Sequence, residues 1–439
     1  MSKLRELMHE REVQGNPVHN AVIGVGMMGT GIVEVMHNME GMRPSFVADI
    51  TADRAKAALL RAGIAESDIV CTDDPITADQ AIRSNKYVAS GNGAACADVP
   101  CIDVVTESTG IPEVGAKIAW NTILARKHIV MMNVETDVCI GPLLKKMSDA
   151  SGIVYTGACG DEPACTVELI DFARSLGLKV VAAGKGKNTP YHPDATADNI
   201  ANYFPAIKKI ARVNPRMICE FVDGSKTAIE MAAIANAAGL HPDLVELDPT
   251  GVGMRGPQCT RDNLHKVFAP VSEGGVLQGD PTDIIEYCYG VSPGVFCVVR
   301  GEYPTAVESF SSFGGGGTYP LYRPYHLTSL ETPLAAAKAV LLKESSIAPL
   351  DQLCCEVVSL SKKDLAPGET LDGIGGFCVR GYMRAYDRAK AERLLPLGLA
   401  AGSVVKRPIK AGEFLTYDDV ELNPDSAIVM LRKLQDKMM

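Results

Sequence analysis

The chain contains no apolar run of the roughly 18 residues that a membrane span requires. Its opening stretch, MSKLRELMHEREVQ, is charged and lacks the apolar core of a signal peptide, so an amphipathic helix and a cytoplasmic location are expected. Positive charge is not in excess. The formal net charge of −10 argues against general nucleic-acid binding, which rests on Lys and Arg neutralising phosphates. A small anionic substrate remains compatible with it, because a few local cations suffice. There is no CxxC pair among the 13 cysteines, and several (Cys219, Cys288, Cys297) stand inside apolar stretches. Buried free thiols are therefore expected instead of a disulfide framework. Cys159 and Cys165 bracket a polar turn, although a buried cysteine ordinarily behaves as a small hydrophobe. Internal repeats and low-complexity tracts are lacking as well.

What is present is a globular composition, 46% hydrophobic and 22% charged, in 439 residues, enough for two or three domains. From Val18 the chain alternates apolar runs of strand length (AVIGVG, SFVADI, IDVVTES, HIVMMN, GIVYTGA) with helical stretches such as TGIVEVMHNM and GAKIAWNTILARK. That alternation predicts a parallel sheet covered by helices over residues 1–155. From 156 to 340 a helix (ACTVELIDFARSLG), a strand-like VVAAG, a helix at about Ser225–Ala238 and long Gly/Pro-rich loops predict an α+β substrate and dimerisation domain. Residues 341–439 read as short strands and turns. The fold class expected is α/β, and a homodimer is the expected assembly.

Gly24-Val25-Gly26-Met27-Met28-Gly29 follows an apolar strand and opens a helix, the context that a dinucleotide turn demands. Gly24 permits the tight turn, Gly26 lets a pyrophosphate approach the backbone, and Gly29 allows close helix–strand packing. The N–H groups around Met27 and Met28 and the positive end of the helix dipole would face the phosphates. Asp49 ends the next strand, 20 residues after Gly29, where an acid would bind the ribose hydroxyls. Alone it favours NAD, whereas Arg54 is close enough to accommodate the 2′-phosphate of NADP, so both cofactors stay open. Ser108-Thr109-Gly110, after a further strand, is placed to line the nicotinamide side. An ordinary glycine turn with a strand-end acid is the plain alternative.

Three further clusters carry candidate chemistry. Lys185-Gly186-Lys187-Asn188 precedes Tyr191-His192-Pro193-Asp194 and, slightly further on, Asp198; a solvated surface loop is its plain reading. Glu220, Asp223 and Lys226 gather where an apolar helix starts. There Asp223 or Ser225 would serve as a cap, and Lys226 with Glu230 as a surface i,i+4 pair. Gly314–Gly317 followed by Tyr319, Tyr322, Arg323 and His326 suggests an anion nest around Gly316 beside a guanidinium; a hinge with aromatic packing is the alternative.

VIGVGMMGTGI, VVTESTG, KHIVMMNVE and TGACGDEP resemble the homoserine dehydrogenase fold over roughly the first 240 residues. Two departures stand out. Asn133-Val134-Glu135 replaces that family's Asn-Lys, and its Asp/Lys helical pair is inverted here as Lys226 and Glu230. VVKRPIKAGEFLTYDDVEL resembles a SAF domain, a small β-rich module. Together with KGKN, EFVDGSK and GGGGTYPLYRPYHL, these segments resemble the 1-deoxy-D-xylulose 5-phosphate reductoisomerase-like enzymes along nearly the whole chain. The resemblance implies NADPH-dependent conversion of that sugar phosphate to 2-C-methyl-D-erythritol 4-phosphate, a step of isoprenoid synthesis. Lys187 and Lys226 would then hold the oxyanion, His192, Asp194 and Asp198 would move protons, and Lys185, Asn188, Glu220 and Asp223 would line the substrate. Arg323, His326 and the glycine nest would grip the phosphate. The resemblance also implies a divalent cation, with Asp161 and Glu162 as possible ligands, although the residues alone assign no metal site. A dehydrogenase or oxidoisomerase of another small hydroxy acid or sugar, and a cofactor-binding sensor, are the competing readings.

Overall fold

The computed structural model describes residues 2–205, 207, 214–243 and 253–438. They form two compact units, one of residues 1–161, 327–348 and 430–439, the other of 162–326 and 349–429. In chain order the first 161 residues run α1 (Lys3–Val13), β1 (Val18–Ile23), α2 (Met27–His37), β2 (Met42–Ala48), α3 (Ala52–Arg61), β3 (Ile69–Cys71), α4 (Pro75–Arg83) and β4 (Tyr87–Ser90). They continue through β5 (Val104–Glu107), α5 (Pro112–Leu124), β6 (His128–Met131), α6 (Val134–Ser151) and β7 (Tyr155–Gly157). The seven strands make one parallel sheet in the order β3-β4-β2-β1-β5-β6-β7. β5 and β6 are buried throughout, as expected of parallel strands with helices on both faces. Because β1 is flanked by β2 on one side and β5 on the other, the connections diverge there and leave a crevice at the strands' carboxyl ends.

The second unit begins with α7 (Glu162–Ser175) and β8 (Lys179–Lys187), then α8 (Ile200–Tyr203), α9 (Pro215–Val222), α10 (Ser225–Ala238), β9 (His241–Pro242), α11 (Leu264–Val267), β10 (Ile284–Ile285) and β11 (Cys288–Tyr289). β12 (Val295–Arg300), α12 (Pro304–Ser312) and β13 (Thr318–Arg323) complete a mixed sheet in the order β13-β12-β8-β10-β9. β12 runs antiparallel to both neighbours, and the register sets Lys185, Val295 and Arg323 in one row. Helices α7 and α10 pack on this sheet, while Phe268, Leu277, Phe296 and Val298 form an apolar cluster with Phe268 stacked on Phe296 at 4.8 Å.

After β13 the chain returns to the first unit as α13 (Thr328–Leu341), whose Ala335, Ala336 and Ala337 allow close packing into the core that contains α2. It then enters the second unit again through β14 (Cys355–Ser361), β15 (Val379–Ala385), α14 (Tyr386–Ala391), β16 (Val404–Val405) and β17 (Val420–Glu421). These short antiparallel pairs form the β-rich module expected near the C-terminus. The last helix, α15 (Ala427–Met438), ends in the first unit. Composition divided the chain into three consecutive segments, whereas the two units interleave along it. The cysteines are all free. Among the described residues no helix is long and apolar enough to cross a membrane.

Candidate functional site

In the first unit the glycine turn joins β1 to α2 at the sheet's crevice. Gly24 has φ +90°, and a Cβ there would meet Thr109 at 2.9 Å. A Cβ on Gly29 would lie 1.8 Å from the Gly24 carbonyl oxygen, so the helix can start this close to the strand only with glycine. Gly26 differs: it is exposed, and a Cβ there would meet nothing within 4 Å. The protein's own packing does not require that glycine, whereas a pyrophosphate over the turn would. Ser108 locks the turn by donating to the Ile23 and Gly24 carbonyls at 3.0 and 2.8 Å. Its hydroxyl is thus occupied structurally, while Thr109 and the exposed Gly110 border the crevice. Met27, half exposed, and Met28 open the first turn of α2, and the Met28 sulfur accepts from Ser329 of α13.

Asp49 accepts from the backbone N–H groups of Val25 and Ile50, both at 2.8 Å. Arg54 Nε lies 3.1 Å from Asp49 Oδ1, with more than half of its side chain exposed. The carboxylate that would repel a 2′-phosphate is therefore compensated by a guanidinium able to bind one. The turn fits a nicotinamide dinucleotide with either ribose.

In the second unit β8 presents Lys185 and Lys187 on one face. Lys185 Nζ stands 3.2 Å from Glu162 Oε1, at the start of α7, and is ion-paired with Glu230 of α10. His326 Nε2 lies 3.6 Å from the same Glu162 oxygen. Across the sheet row, Arg323 Nη1 donates to Cys165 Sγ at 2.7 Å and to Glu168 Oε2 at 3.2 Å, and its guanidinium covers the Tyr325 ring. Lys187 is tied by three bonds, to Thr189 Oγ1 at 2.8 Å, the Phe221 carbonyl at 2.5 Å and Thr227 Oγ1 at 3.3 Å. Burial, with the nearby Lys185 charge adding to it, pushes its ammonium down to about 7. Its three donors thus meet protein acceptors. Lys226 is half-buried in the first turn of α10, and the expected partner Glu230 turns to Lys185 instead.

Asp223 is held within the protein. It is fully buried, accepts from Ser225 N–H at 2.9 Å and pairs with Lys362 at 2.6 Å. Lys362 also donates to the carbonyls of Ala195 and Gly376, so it anchors the loop after β8. In that loop His192 stacks on Tyr203 at 4.1 Å, and the Tyr203 hydroxyl donates to Asp194 at 2.6 Å. Asn188 and Asp198 are exposed, and Glu220 is half-buried beside Gly375. Part of the glycine run is tied into its own turn. The N–H groups of Gly314 and Gly315 bond to carbonyls of the last turn of α12, and Thr318 N–H bonds to Gly315, leaving Gly316 exposed at the tip of a turn. Strand alternation separates the two tyrosines: Tyr319 stacks on Phe310 at 5.5 Å, while the Tyr322 hydroxyl donates to the Val291 carbonyl at 2.7 Å.

Of the acids here, Glu162 was read only as a possible metal ligand and Glu230 only as the partner of Lys226, and Glu107 went unread. Glu162 and Glu230 acquire their role only through Lys185, from which they are remote in sequence. Glu107 ends β5 at the crevice, buried, and accepts from the N–H and the hydroxyl of Thr109. Burial pushes its carboxyl up to about 7. The signal available for Glu107 was an acid closing an apolar run of strand length.

Residues 160–332 match the family model described as the catalytic domain of oxidoreductase DRL, and residues 360–421 match the SAF domain. The chain thus carries an oxidoreductase catalytic domain followed by a SAF domain. No curated protein matches it. Among solved structures it is similar to an NAD-binding oxidoreductase from Klebsiella pneumoniae, at 15% identity and TM-score 0.29 over 41% of this chain and 45% of that one. It is also similar to a DOX-P reductoisomerase in complex with magnesium, at 14% identity and TM-score 0.39 over 77% and 72%. A third is a UDP-N-acetylglucosamine 3-dehydrogenase from Acidithiobacillus ferrooxidans, at 10% identity and TM-score 0.38 over 75% and 91%. The chain spans less than half the length of the first of these.

Proposed function

We propose that this chain is an NADPH-dependent reductoisomerase that converts 1-deoxy-D-xylulose 5-phosphate to 2-C-methyl-D-erythritol 4-phosphate. The observation that carries the reading lies in the stretch matching an oxidoreductase catalytic domain: one face of one sheet presents a Lys185–carboxylate cluster and, in the same row, a guanidinium. A phosphorylated ketose needs both. The Glu168 carboxylate that engages Arg323 has a side chain 73% exposed, so exchanging it for a substrate phosphate costs little desolvation. Lys185 stabilises negative charge as a hydroxyl loses its proton and the carbon skeleton shifts. Glu162, held between Lys185 and His326, holds or relays that proton. The nicotinamide, when bound, supplies the hydride that reduces the resulting aldehyde, with a proton completing the alcohol. Gly26 leaves room for its pyrophosphate, and Arg54 beside Asp49 favours the 2′-phosphorylated form.

The test is NADPH oxidation by the purified chain with that sugar phosphate, with NADH in parallel and product identified by mass and chromatography. Formation of the branched polyol phosphate is expected. Tight NADPH binding without turnover would sink the substrate and favour a dehydrogenase of another small hydroxy acid or sugar.

A further inference from the structure

The resemblance to reductoisomerases implies a divalent cation held by acids, and Asp161, Glu162 and Glu230 are the candidates. One oxygen of each lies within 4.8 Å of the others. Lys185 stands against Glu162 and Glu230. Their mutual position already has a cation. Lys185 Nζ is 3.2 Å from Glu162 and ion-paired with Glu230, and its side chain is 5% exposed against 12% and 1% for the two acids. A divalent ion placed between these carboxylates would meet the ammonium at close range, with little water to screen the repulsion. It would have to displace Lys185, stranding a buried charge without its partners. The lysine has no easy retreat, because it projects from β8, which is paired on both sides within the sheet. The donor set does not fit a metal.

We propose, on the reductoisomerase reading above, that the Lys185 ammonium is the resident cation of this site and takes the place of the divalent metal, so that turnover requires no metal ion. A metal in such a reaction holds the negative charge that develops on substrate oxygens. An ammonium has three N–H donors. Two directed at Glu162 and Glu230 fix its position, and the third serves a substrate oxygen. His326, whose side chain is 23% exposed, borders Glu162 where the cluster meets solvent. Lys187 stands two residues further along the same strand and adds positive potential close to Lys185.

Two measurements on the native chain decide the matter. The first is turnover of NADPH and the sugar phosphate in excess EDTA, compared with added Mg²⁺ or Mn²⁺; the rates are expected to agree within about twofold. The second is Mn²⁺ binding followed by electron paramagnetic resonance in the absence of substrate and cofactor; no stoichiometric binding is expected. Lys185→Ala should gain Mn²⁺ binding, because it frees the two carboxylates, and lose turnover on the order of 100-fold. Loss of turnover in EDTA with recovery in Mn²⁺ would overturn the proposal. So would one Mn²⁺ bound per native chain and released by Glu230→Gln. If the sugar phosphate is not turned over under either condition, the functional reading fails, while the Mn²⁺ titration of the native chain still decides the occupant of the carboxylate pair. That titration also stands alone if Lys185→Ala does not fold.

Discussion

Gly26 and Gly29 belong to one motif but answer to different masters. Gly29 is demanded by the Gly24 carbonyl 1.8 Å from its would-be Cβ, whereas nothing in the protein crowds Gly26. Gly26→Val is therefore expected to leave the thermal melt within a degree or two and abolish cofactor binding, measured by nucleotide fluorescence titration. Gly29→Ala should instead lower the melt; a loss of binding with an unchanged melt would contradict this division. Arg54→Ala should weaken NADPH roughly tenfold or more and leave NADH nearly unchanged, since only the 2′-phosphate gains a charge-assisted bond there. Equal weakening of both would remove Arg54 from cofactor choice. At this scale the motif was legible because each glycine answers a local backbone demand that spacing alone expresses. The acids around Lys185 were not, because residues 162, 185 and 230 become neighbours only when two helices and a strand are packed. Reading Lys226 with Glu230 used the only geometry a sequence supplies, the helical i,i+4 step, and the tertiary partner prevailed.

Strand β5 ends in a carboxyl that the fold keeps out of water. Burial raises Glu107 to about 7 from an ordinary value of 4.5, so the folded state binds its proton more tightly than the unfolded chain does. Between about pH 4.5 and 7 the native state thus carries more protons than the unfolded one, and stability falls as pH rises through that window. Glu107→Gln should flatten that slope in denaturant melts and be more stable than the native chain above pH 7. An unchanged slope would assign the pH dependence to other groups. Helix α6 shows a different device. It contains Pro142, and Gln435 of α15 bridges its backbone there, accepting from Leu143 N–H and donating to the Cys139 carbonyl, both at 3.1 Å. Gln435→Leu strands the buried Leu143 N–H, while Arg432 still donates to the Cys139 carbonyl at 3.1 Å, and should cost about 2 kcal/mol in chemical denaturation. Elements with a clean period, such as β1, β5 and α10, were readable from the sequence. β12 and β13 were hidden because Gly/Pro turns surround them and resemble loop composition, and α13 because nothing in its sequence states which unit it joins.

At the scale of the whole molecule the chain visits each unit more than once, and this decides how it tolerates truncation. The C-terminal module supplies parts that α10 needs: Lys362 for Asp223, and the backbone of Cys354 and Cys355 for the buried Asn236, whose Oδ1 accepts from both N–H groups at 2.8 and 2.9 Å. β15 also packs along α10. Removing residues 349–439 would strip these groups from a buried helix face, leaving Asn236 without its partners and the Asp223 charge buried without its own, a loss large enough to unfold the second unit. Removing only residues 427–439 takes Gln435 and Arg432 from α6 and touches the second unit little. Calorimetry should therefore separate the two truncations. The short one is expected to lower the transition of the first unit while the other transition stays, and the long one to abolish the transition of the second unit. A long truncation that melts cooperatively with native NADPH affinity and native turnover would show the SAF-bearing module to be an appendage, and the buried Lys362–Asp223 pair to be dispensable.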